Sequence, residues 1–422
     1  MKILIKIFNI FVAYFLITHF LSISFANDIT LVEHQILETD ATGIEYFVID
    51  SETYLSLSFY NNDLIIYKWK DNLFQPIQTL KTYQAINSES FLIDGNIFLA
   101  VTNRCKDGVF KTDSEIFKWD GSKFIHFQYI STNGANDWEF FTIENEKYLA
   151  VANWANWGET ESIIYKWTGT DFKKFSSITG TSIVDIESFN IEGETYLIFS
   201  GNNSKIYKYV NNNLQEIQSI CPEFTVSKTH YFTINNEYYL AVIVIYKEKN
   251  NFEIQDSKIY KRQGETFKEI QSIKTRYSLD AETFTISNET YLAVTNRSYT
   301  LNSKIYKFNE KEDKFIETLS ISGIYPWRWL YIPINNNNYL VLTDNRSESK
   351  LFKIVEWNNS QCTSTILPVS KLTTFEPGKE AKADEVNNNF DILKTKINEL
   401  SCQVELLKSI VCKDHPEYLI CQ

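Results

Sequence analysis

Across residues 27–357 the chain alternates between short apolar or aromatic runs and clusters of Asn, Asp, Glu and Gly. Many of the runs alternate apolar with polar residues, as strands with one buried face do. The polar clusters between them are typical of hairpin turns. Fifteen per cent of the residues are aromatic, and Tyr, Phe and Ile pack well in sheets. The pattern predicts an all-β fold of short antiparallel strands.

The strand pattern repeats along the chain. One copy contains Phe141-Thr142-Ile143, then Tyr148-Leu149-Ala150, then Ile164-Tyr165-Lys166-Trp167. Each copy contains four strand-like runs, and four-stranded units recurring about every 40–50 residues predict the blades of a β-propeller. The copies begin at Phe47, Phe91, Phe141, Phe189, Phe232, Phe284 and, in degenerate form, Ile332. Their aromatic–Lys pairs are Tyr67-Lys68, Phe117-Lys118, Tyr165-Lys166, Tyr207-Lys208, Tyr260-Lys261, Tyr306-Lys307 and Phe352-Lys353.

The seventh copy lacks its fourth run, and a matching run stands at the front of the chain, at residues 33–37. An N-terminal strand that completes the last blade closes the ring and removes a free sheet edge. We therefore predict a seven-bladed β-propeller closed by an N-terminal strand. The glutamine that identifies this run is Gln35, which matches Gln78, Gln218 and Gln271 in their repeats.

The repeated sequence, read most clearly at 137–143, 148–153 and 164–167, resembles the epilepsy-associated repeat, also called EPTP. The resemblance covers roughly residues 29–357. It implies a secreted or extracellular seven-bladed propeller that binds other surface proteins, is not an enzyme and holds metal ions in its central channel.

Acidic residues recur at one place in the repeat, on the strand predicted to be innermost. Residues two apart on a strand point to the same side, so several carboxylates converge on the channel. Calcium is the natural cation for such oxygen ligands, and we predict a calcium ion held by the aspartates. The alternative, which we favour for the glutamates, is pairing with the recurring lysine of an adjacent blade. The predicted metal ligands are Asp137, Asp185 and Asp280, and the accompanying glutamates are Glu45, Glu89, Glu139, Glu187 and Glu282.

Four blades lack the aspartate, which argues against a complete acidic ring. Gly43, Asn87, Lys228 and Arg328 stand in its place.

Labelling the strands of a blade A to D outwards, the B–C loops vary most in length and composition, and they share one face with the D–A loops. Variable loops on one face are typical of a binding surface. Trp154, Trp157 and Trp327 are the predicted anchors, because tryptophan is enriched at binding hot spots. The equally weighted alternative is that each tryptophan covers a neighbouring blade.

The formal net charge of −12 argues against a nucleic-acid partner, which requires clustered positive charge. Residues 1–26 have basic, apolar and small-residue regions in the order of a signal peptide cleaved after Ala26. We therefore expect a secreted protein without membrane insertion. Six cysteines are compatible with disulfide bonds, mainly in the last part of the chain, and we do not expect Cys105 to pair with Cys221.

Residues 358–380 are predicted to be a linker, 381–412 a coiled-coil helix and 413–422 a cysteine-containing tail. A period of 3.5 residues favours a homo-oligomer over a single helix docked on the propeller. Its heptad seam is Val386, Phe390, Leu393, Ile397, Leu400, Val404, Leu407 and Val411.

Zinc-ligand spacing, a nucleophile elbow and a phosphate-binding loop are absent from the sequence. The sequence therefore favours a secreted, non-enzymatic recognition or adhesion protein that binds an extracellular protein or glycan through one propeller face. The alternative is an exported glycan-active enzyme, because that chemistry uses paired carboxylates.

Overall fold

The computed structural model describes residues 29–246, 254–323 and 325–356. Within them the chain is almost entirely β-strand, which confirms the all-β prediction. Residues 33–354 make up one compact unit. The predicted signal peptide, linker, coiled-coil helix and cysteine-containing tail lie outside the described residues. In the described part, no helix is long and apolar enough to span a bilayer.

The strands follow one another with short connections. In chain order they are β1 (Ile29–Thr39), β2 (Ala41–Ile49), β3 (Glu52–Phe59), β4 (Leu64–Lys70), β5 (Leu73–Leu80), β6 (Ser88–Ile93), β7 (Asn96–Val101), β8 (Lys111–Trp119), β9 (Phe124–Asn133), β10 (Ala135–Ile143), β11 (Glu146–Asn153), the 3₁₀ helix η1 (Ala155–Trp157), β12 (Glu159–Trp167), β13 (Phe172–Ile191), β14 (Glu194–Val210), β15 (Asn213–Ile234), β16 (Glu237–Tyr246), β17 (Ile254–Gln263), β18 (Thr266–Arg276), β19 (Ala281–Ile286), β20 (Glu289–Val294), β21 (Ser303–Asn309), β22 (Lys314–Ile321), β23 (Pro326–Ile334), β24 (Asn337–Asp344) and β25 (Glu348–Glu356).

These strands form seven antiparallel groups of four. Four groups are separate sheets, β2–β5, β6–β9, β19–β22 and β23–β25 with β1. The other three groups share one nine-stranded sheet, β10–β18, because β13, β14 and β15 each serve twice. For example, the first part of β15 pairs with β14, and its last part pairs with β16 as the innermost strand of the next blade.

The innermost strands of the seven groups contact one another in a closed circuit. In order these strands are β2, β6, β10, β13, β15, β19 and β23, and β23 contacts β2 again. The groups are therefore the blades of a propeller, numbered here from the blade of β2. Strand β1 is the outermost strand of the seventh blade, beside β25.

Aromatic side chains on the innermost strands pack between blades. The Phe91 ring stacks on that of Phe140 in the next blade with a centroid distance of 4.7 Å. The Phe189 and Tyr231 rings repeat this contact at 4.4 Å. Each pair buries apolar surface at the junction of two sheets, which explains why an aromatic residue begins the repeat.

A glutamine on the outermost strand joins each of five neighbouring blade pairs. Its amide nitrogen donates to the backbone carbonyl of a phenylalanine on the next outermost strand, and its amide oxygen accepts from the N–H of that residue. All ten bonds are 2.7–2.9 Å long. Gln35 on β1 makes the same contact as the others, so the N-terminal strand occupies an ordinary outer-strand position. The pairs are Gln35–Phe74, Gln78–Phe124, Gln128–Phe172, Gln218–Phe267 and Gln271–Phe315.

Replacing Gln218 with leucine removes both bonds to the Phe267 backbone and leaves two part-buried peptide groups without that partner. We expect the free energy of unfolding to fall by about 2 kcal/mol. Urea unfolding followed by tryptophan fluorescence measures the change. Gln263→Leu at an exposed position of β17 is the matched control, and equal effects of the two changes would contradict the role assigned to the amide.

Cys105 and Cys221 are buried free thiols. They form no disulfide bond with each other, in line with the expectation from the sequence. The other four cysteines lie outside the described residues.

Candidate functional site

The three aspartates predicted to bind calcium join neighbouring blades. Each is buried on an innermost strand or, for Asp280, directly before one, and one carboxylate oxygen accepts a hydrogen bond from a backbone N–H of the next innermost strand. The bonds are Ile186 N–H to Asp137 (3.0 Å), Thr229 N–H to Asp185 (2.9 Å) and Trp329 N–H to Asp280 (2.7 Å).

The second oxygen of each aspartate faces a residue that replaces the aspartate in another blade. The Lys228 ammonium lies 2.9 Å from Asp185 Oδ1 and 3.6 Å from Glu187 Oε2. The same role is taken by Arg328, whose Nη1 lies 3.3 Å from Asp280 Oδ1, and by Asn87, whose amide donates to Asp137 Oδ1 at 2.6 Å.

The calcium prediction assumed that the carboxylates face one another without protein partners, and the structure gives each aspartate a protein partner. The cation beside Asp185 is the Lys228 side chain, and the cation beside Asp280 is the Arg328 side chain. Among the described residues, no group of three or more His, Cys, Asp or Glu is arranged to hold a metal ion. The calcium ion at Asp137, Asp185 and Asp280 therefore stays a prediction without a ligand cluster to support it.

The glutamates of the same strands also bond to the next blade, so their expected pairing with the recurring lysines is wrong. The backbone donors are Ser90 for Glu45 (3.2 Å), Phe140 for Glu89 (3.4 Å), Ser188 for Glu139 (2.9 Å), Tyr231 for Glu187 (3.0 Å) and Tyr331 for Glu282 (3.2 Å).

In the described part of the chain, four recurring lysines pair instead with acids at the start of strand B in their own blade, whereas Lys261 pairs with Asp313 of the next blade. Lys208 lies 2.7 Å from Glu194, and Lys307 lies 3.3 Å from Glu289. Cross-strand register is consistent with this pairing at Lys307, which lies opposite Tyr291, two positions after Glu289. The ammonium of Lys208 also lies 5.9 Å from the Tyr196 ring centroid.

Burial sets the protonation of this inner network. It raises the pKa of Glu282 to about 8 and those of Glu45 and Glu187 to about 7. Although burial disfavours the charged form of Lys228, the carboxylates led by Asp185 hold its pKa well above the usual range. Burial, with Lys228 beside it, lowers the pKa of His230 to about 3, so that imidazole is neutral. These acids are committed to hydrogen bonds between blades, which argues against their use in glycoside hydrolysis.

The loop face contains a central cavity of 140 Å³. Its walls come from B–C and D–A loops and include Arg104, Trp154, Arg297, Trp327 and Arg328. None of the described residues that line it is acidic.

Two of the three predicted tryptophan anchors, Trp154 and Trp327, occupy different environments on this face. Trp154 is only 8% exposed, with the Arg104 guanidinium 4.0 Å from its ring centroid. This supports the packing alternative for Trp154. Trp327 is half-buried, and its ring lies 4.5 Å from the Arg297 guanidinium. Trp157 ends helix η1, and its role as an anchor stays a prediction.

A larger cavity of 410 Å³ adjoins the central one and shares Arg297 with it. The loops that follow strands of the fifth, sixth and seventh blades form it. We call it the arginine–tyrosine cavity. It is lined by Arg276, Tyr277, Arg297, Ser298, Tyr299, Thr300, Tyr325 and Arg346.

The side chains of this cavity are held by one another. The Arg297 guanidinium packs among the rings of Tyr277 (5.3 Å), Tyr325 (4.8 Å) and Trp327 (4.5 Å). The Arg346 guanidinium lies 3.7 Å from the Tyr325 ring centroid. Tyr299 is 74% exposed and meets the Tyr325 ring edge-on.

Arginine is rare in this chain and concentrated at these two cavities. The chain contains 41 basic residues, of which only six are arginine. Five of the six line the cavities. Sequence reasoning concentrated on tryptophan and missed this, although the arginines already stood in or beside the B–C and D–A loops. Arg262 on β17 is the sixth.

Comparison with known proteins confirms the resemblance to the EPTP repeat family. Four stretches of the chain match the EPTP domain, at residues 73–120, 123–168, 171–210 and 266–309. A human thrombospondin-type laminin G domain and EAR repeat-containing protein is 30% identical over 137 residues. That match covers 31% of this chain and 20% of the human protein, so the chain matches about a fifth of the length of this curated relative.

Two solved structures resemble the propeller in fold. The crystal structure of Saccharomyces cerevisiae Sqt1 has a TM-score of 0.50 at 10% identity, covering 78% of this chain and 99% of Sqt1. The structure of BBS1N in complex with ARL6DN has a TM-score of 0.50 at 12% identity, covering 76% of this chain and 96% of the matched chain. At these identities the likeness concerns the fold alone.

Proposed function

We propose that this chain, which carries EPTP repeats, is a secreted, non-enzymatic recognition protein that binds an extracellular protein or glycan. The observation that supports the proposal is the loop face itself. Two adjoining cavities gather five of six arginines together with tyrosine and tryptophan, the residue types enriched at binding hot spots. The human relative with EAR repeats is consistent with this proposal, but it matches over a short stretch.

Paired acids on the innermost strands were the basis of the enzyme alternative. They recur from blade to blade and accept backbone hydrogen bonds of neighbouring strands, as a structural element does. Catalysis would need carboxylates directed at a substrate bond. We therefore favour binding over glycan hydrolysis.

The proposal includes assembly through residues 381–412. A homo-oligomer would present several copies of the loop face, so that weak individual contacts add through avidity. Light scattering of the full chain under non-reducing conditions tests this part, and a monomeric mass contradicts it.

Replacing Tyr299 with alanine tests the loop face. We expect binding of the full secreted chain to fall by about tenfold or more on an array of extracellular domains and glycans, because an exposed aromatic residue is removed from the lip of the arginine–tyrosine cavity.

The matched control is Tyr129→Ala, which removes a 60% exposed tyrosine from β9 in the second blade. Unchanged binding by Tyr299→Ala, or equal losses in both variants, would place the binding surface elsewhere. Release of a hydrolysed product from any arrayed glycan would overturn the non-enzymatic assignment.

A further inference from the structure

We propose that the arginine–tyrosine cavity binds a sugar that carries an anionic group, either a carboxylate or a sulfate. The inference rests on the proposed function, since it names the class of ligand that the loop face recognises. Its evidence lies in the charge, the hydrogen bonding and the ring surfaces of the cavity.

The wall of the cavity is positively charged. Arg276, Arg297 and Arg346 line it, and none of the lining residues that the structure describes is acidic. The carboxylate of Asp344 lies behind the wall, where it accepts backbone N–H bonds from Tyr325 (2.8 Å), Arg346 (2.9 Å) and Ser347 (3.0 Å). In a chain of net charge −12, three arginines gathered in this way favour an anionic ligand.

Two of the three arginines donate hydrogen bonds to uncharged side chains. Arg276 Nη1 donates to Thr300 Oγ1 at 2.7 Å, and Arg297 Nη2 donates to Asn345 Oδ1 at 3.3 Å. Arg297 Nε is buried and has no hydrogen-bond partner among the described groups. Held guanidinium groups lose little entropy on binding, and their planar fork matches the two oxygens of a carboxylate or sulfate.

Aromatic and hydroxyl groups at the same cavity favour a sugar over a bare inorganic anion. The exposed Tyr299 ring offers a flat apolar surface, which can pack against the C–H face of a sugar ring. Ser298 and Thr300 place hydroxyl groups on the wall, where they can exchange hydrogen bonds with sugar hydroxyls. The volume of 410 Å³ lies within the range of small-ligand sites.

Calorimetric titration of the full chain tests the proposal with glucuronic acid, N-acetylneuraminic acid and glucose 6-sulfate as probes. Glucose and inorganic sulfate are the comparison ligands. We expect at least one acidic sugar to bind about tenfold or more tightly than both comparison ligands, because charge-assisted bonds and ring packing then act together. The carboxylated and sulfated probes distinguish the two possible anionic groups.

Arg346→Gln is the test variant, because Arg346 is exposed and its loss leaves the blade core intact. We expect it to weaken acidic-sugar binding about tenfold. Arg262→Gln is the matched control, since it removes the arginine outside both cavities, and it should leave binding unchanged.

Equal binding of glucose and the acidic sugars, or equal binding by Arg346→Gln and the parent chain, overturns the proposal. Failure of every acidic sugar to bind at about 10 mM overturns it as well. If an arrayed protein ligand is lost in Tyr299→Ala while no acidic sugar binds, the ligand class is wrong and the proposed recognition function stands. If Tyr299→Ala loses no ligand on the array and no acidic sugar binds, both are wrong.

Discussion

Replacing Lys228 with methionine is expected to lower the free energy of unfolding of the propeller by about 3–5 kcal/mol. The ammonium lies 2.9 Å from the Asp185 carboxylate and 3.6 Å from the Glu187 carboxylate, on buried innermost strands. Without it, two acids on the innermost strand of the neighbouring blade remain in the interior with no cation beside them. Removing one partner of a buried ion pair lowers the free energy of unfolding strongly, because the other charge stays buried without a partner. Replacing the whole pair with well-packed apolar residues has a much smaller effect.

The control is Lys174→Met, which removes an exposed lysine that lies 2.9 Å from Glu161. Surface ion pairs contribute about 0–1 kcal/mol, so this variant should unfold close to the parent chain. Urea unfolding followed by circular dichroism compares the two.

A triple variant tests the cause of the destabilisation. Adding Asp185→Asn and Glu187→Gln to Lys228→Met removes both charges while each amide oxygen can still accept its bond from the Thr229 or Tyr231 backbone. We expect this variant to recover more than half of the lost stability, because neighbouring residues of one network are strongly coupled. A triple variant no more stable than Lys228→Met would mean that packing rather than charge sets the cost.

The ring closure was predictable from the sequence because its determinants are local and repeated. Gln35 could be matched with Gln78 and Gln271 by spacing within the repeat, and the structure gives all three the same bonds to the next blade. A residue that performs one task in every blade leaves a periodic signal. The periodic signal is present even where one long strand takes two positions of the repeat, as in β13, β14 and β15.

The partners of the inner acids were not predictable in the same way. Asp185 and Asp280 recur in the sequence, but their cationic partners Lys228 and Arg328 were interpreted only as missing aspartates. The pairs form because a side chain from one blade reaches the next, more than 40 residues away in sequence. A substitution that changes the sign of the charge in a repeat is therefore a signal of pairing between neighbouring blades.

The arginines of the loop face belong to no repeat position, so periodic analysis could not find them. Arg104, Arg297 and Arg346 stand in B–C loops of three blades, and only the closed ring brings their cavities together. Comparing the distribution of arginine with that of lysine along the chain was the available signal. Trp154 shows the converse, because a loop position suggested exposure while the side chain packs under Arg104.

The free energy of unfolding is expected to fall as pH rises from 6.5 to 8, and Glu282 is the clearest source. Burial raises its pKa from 4.5 to about 8, so the folded chain keeps a proton that the unfolded chain releases near pH 4.5. Between these values the folded state binds more protons, and each unit of rising pH costs about 1.4 kcal/mol of stability for such a group. Glu45 and Glu187 act in the same direction up to about pH 7.

The charges around Glu282 support this sign. Asp280 and Glu187 raise its pKa further, while the Tyr331 N–H and Lys228 oppose them without reversing the effect of burial. His230 acts in the opposite direction only below pH 6.5, where the unfolded chain gains a proton that the folded chain rejects. The window from pH 6.5 to 8 therefore isolates the carboxyl groups.

Glu282→Gln tests the assignment because glutamine can still accept the bond from the Tyr331 N–H but cannot ionise. We expect the dependence of stability on pH between 6.5 and 8 to weaken by about 1.4 kcal/mol per pH unit, so that the variant gains on the parent chain as pH rises. Urea unfolding at half-unit steps of pH measures this, with Glu194→Gln at an exposed carboxyl as the control. The pKa of Glu194 is lowered by its bond to Lys208, so its own effect on stability falls at acidic pH, outside the window. A parent chain whose stability is constant from pH 6.5 to 8 would show that the carboxyl of Glu282 is already ionised in the folded propeller.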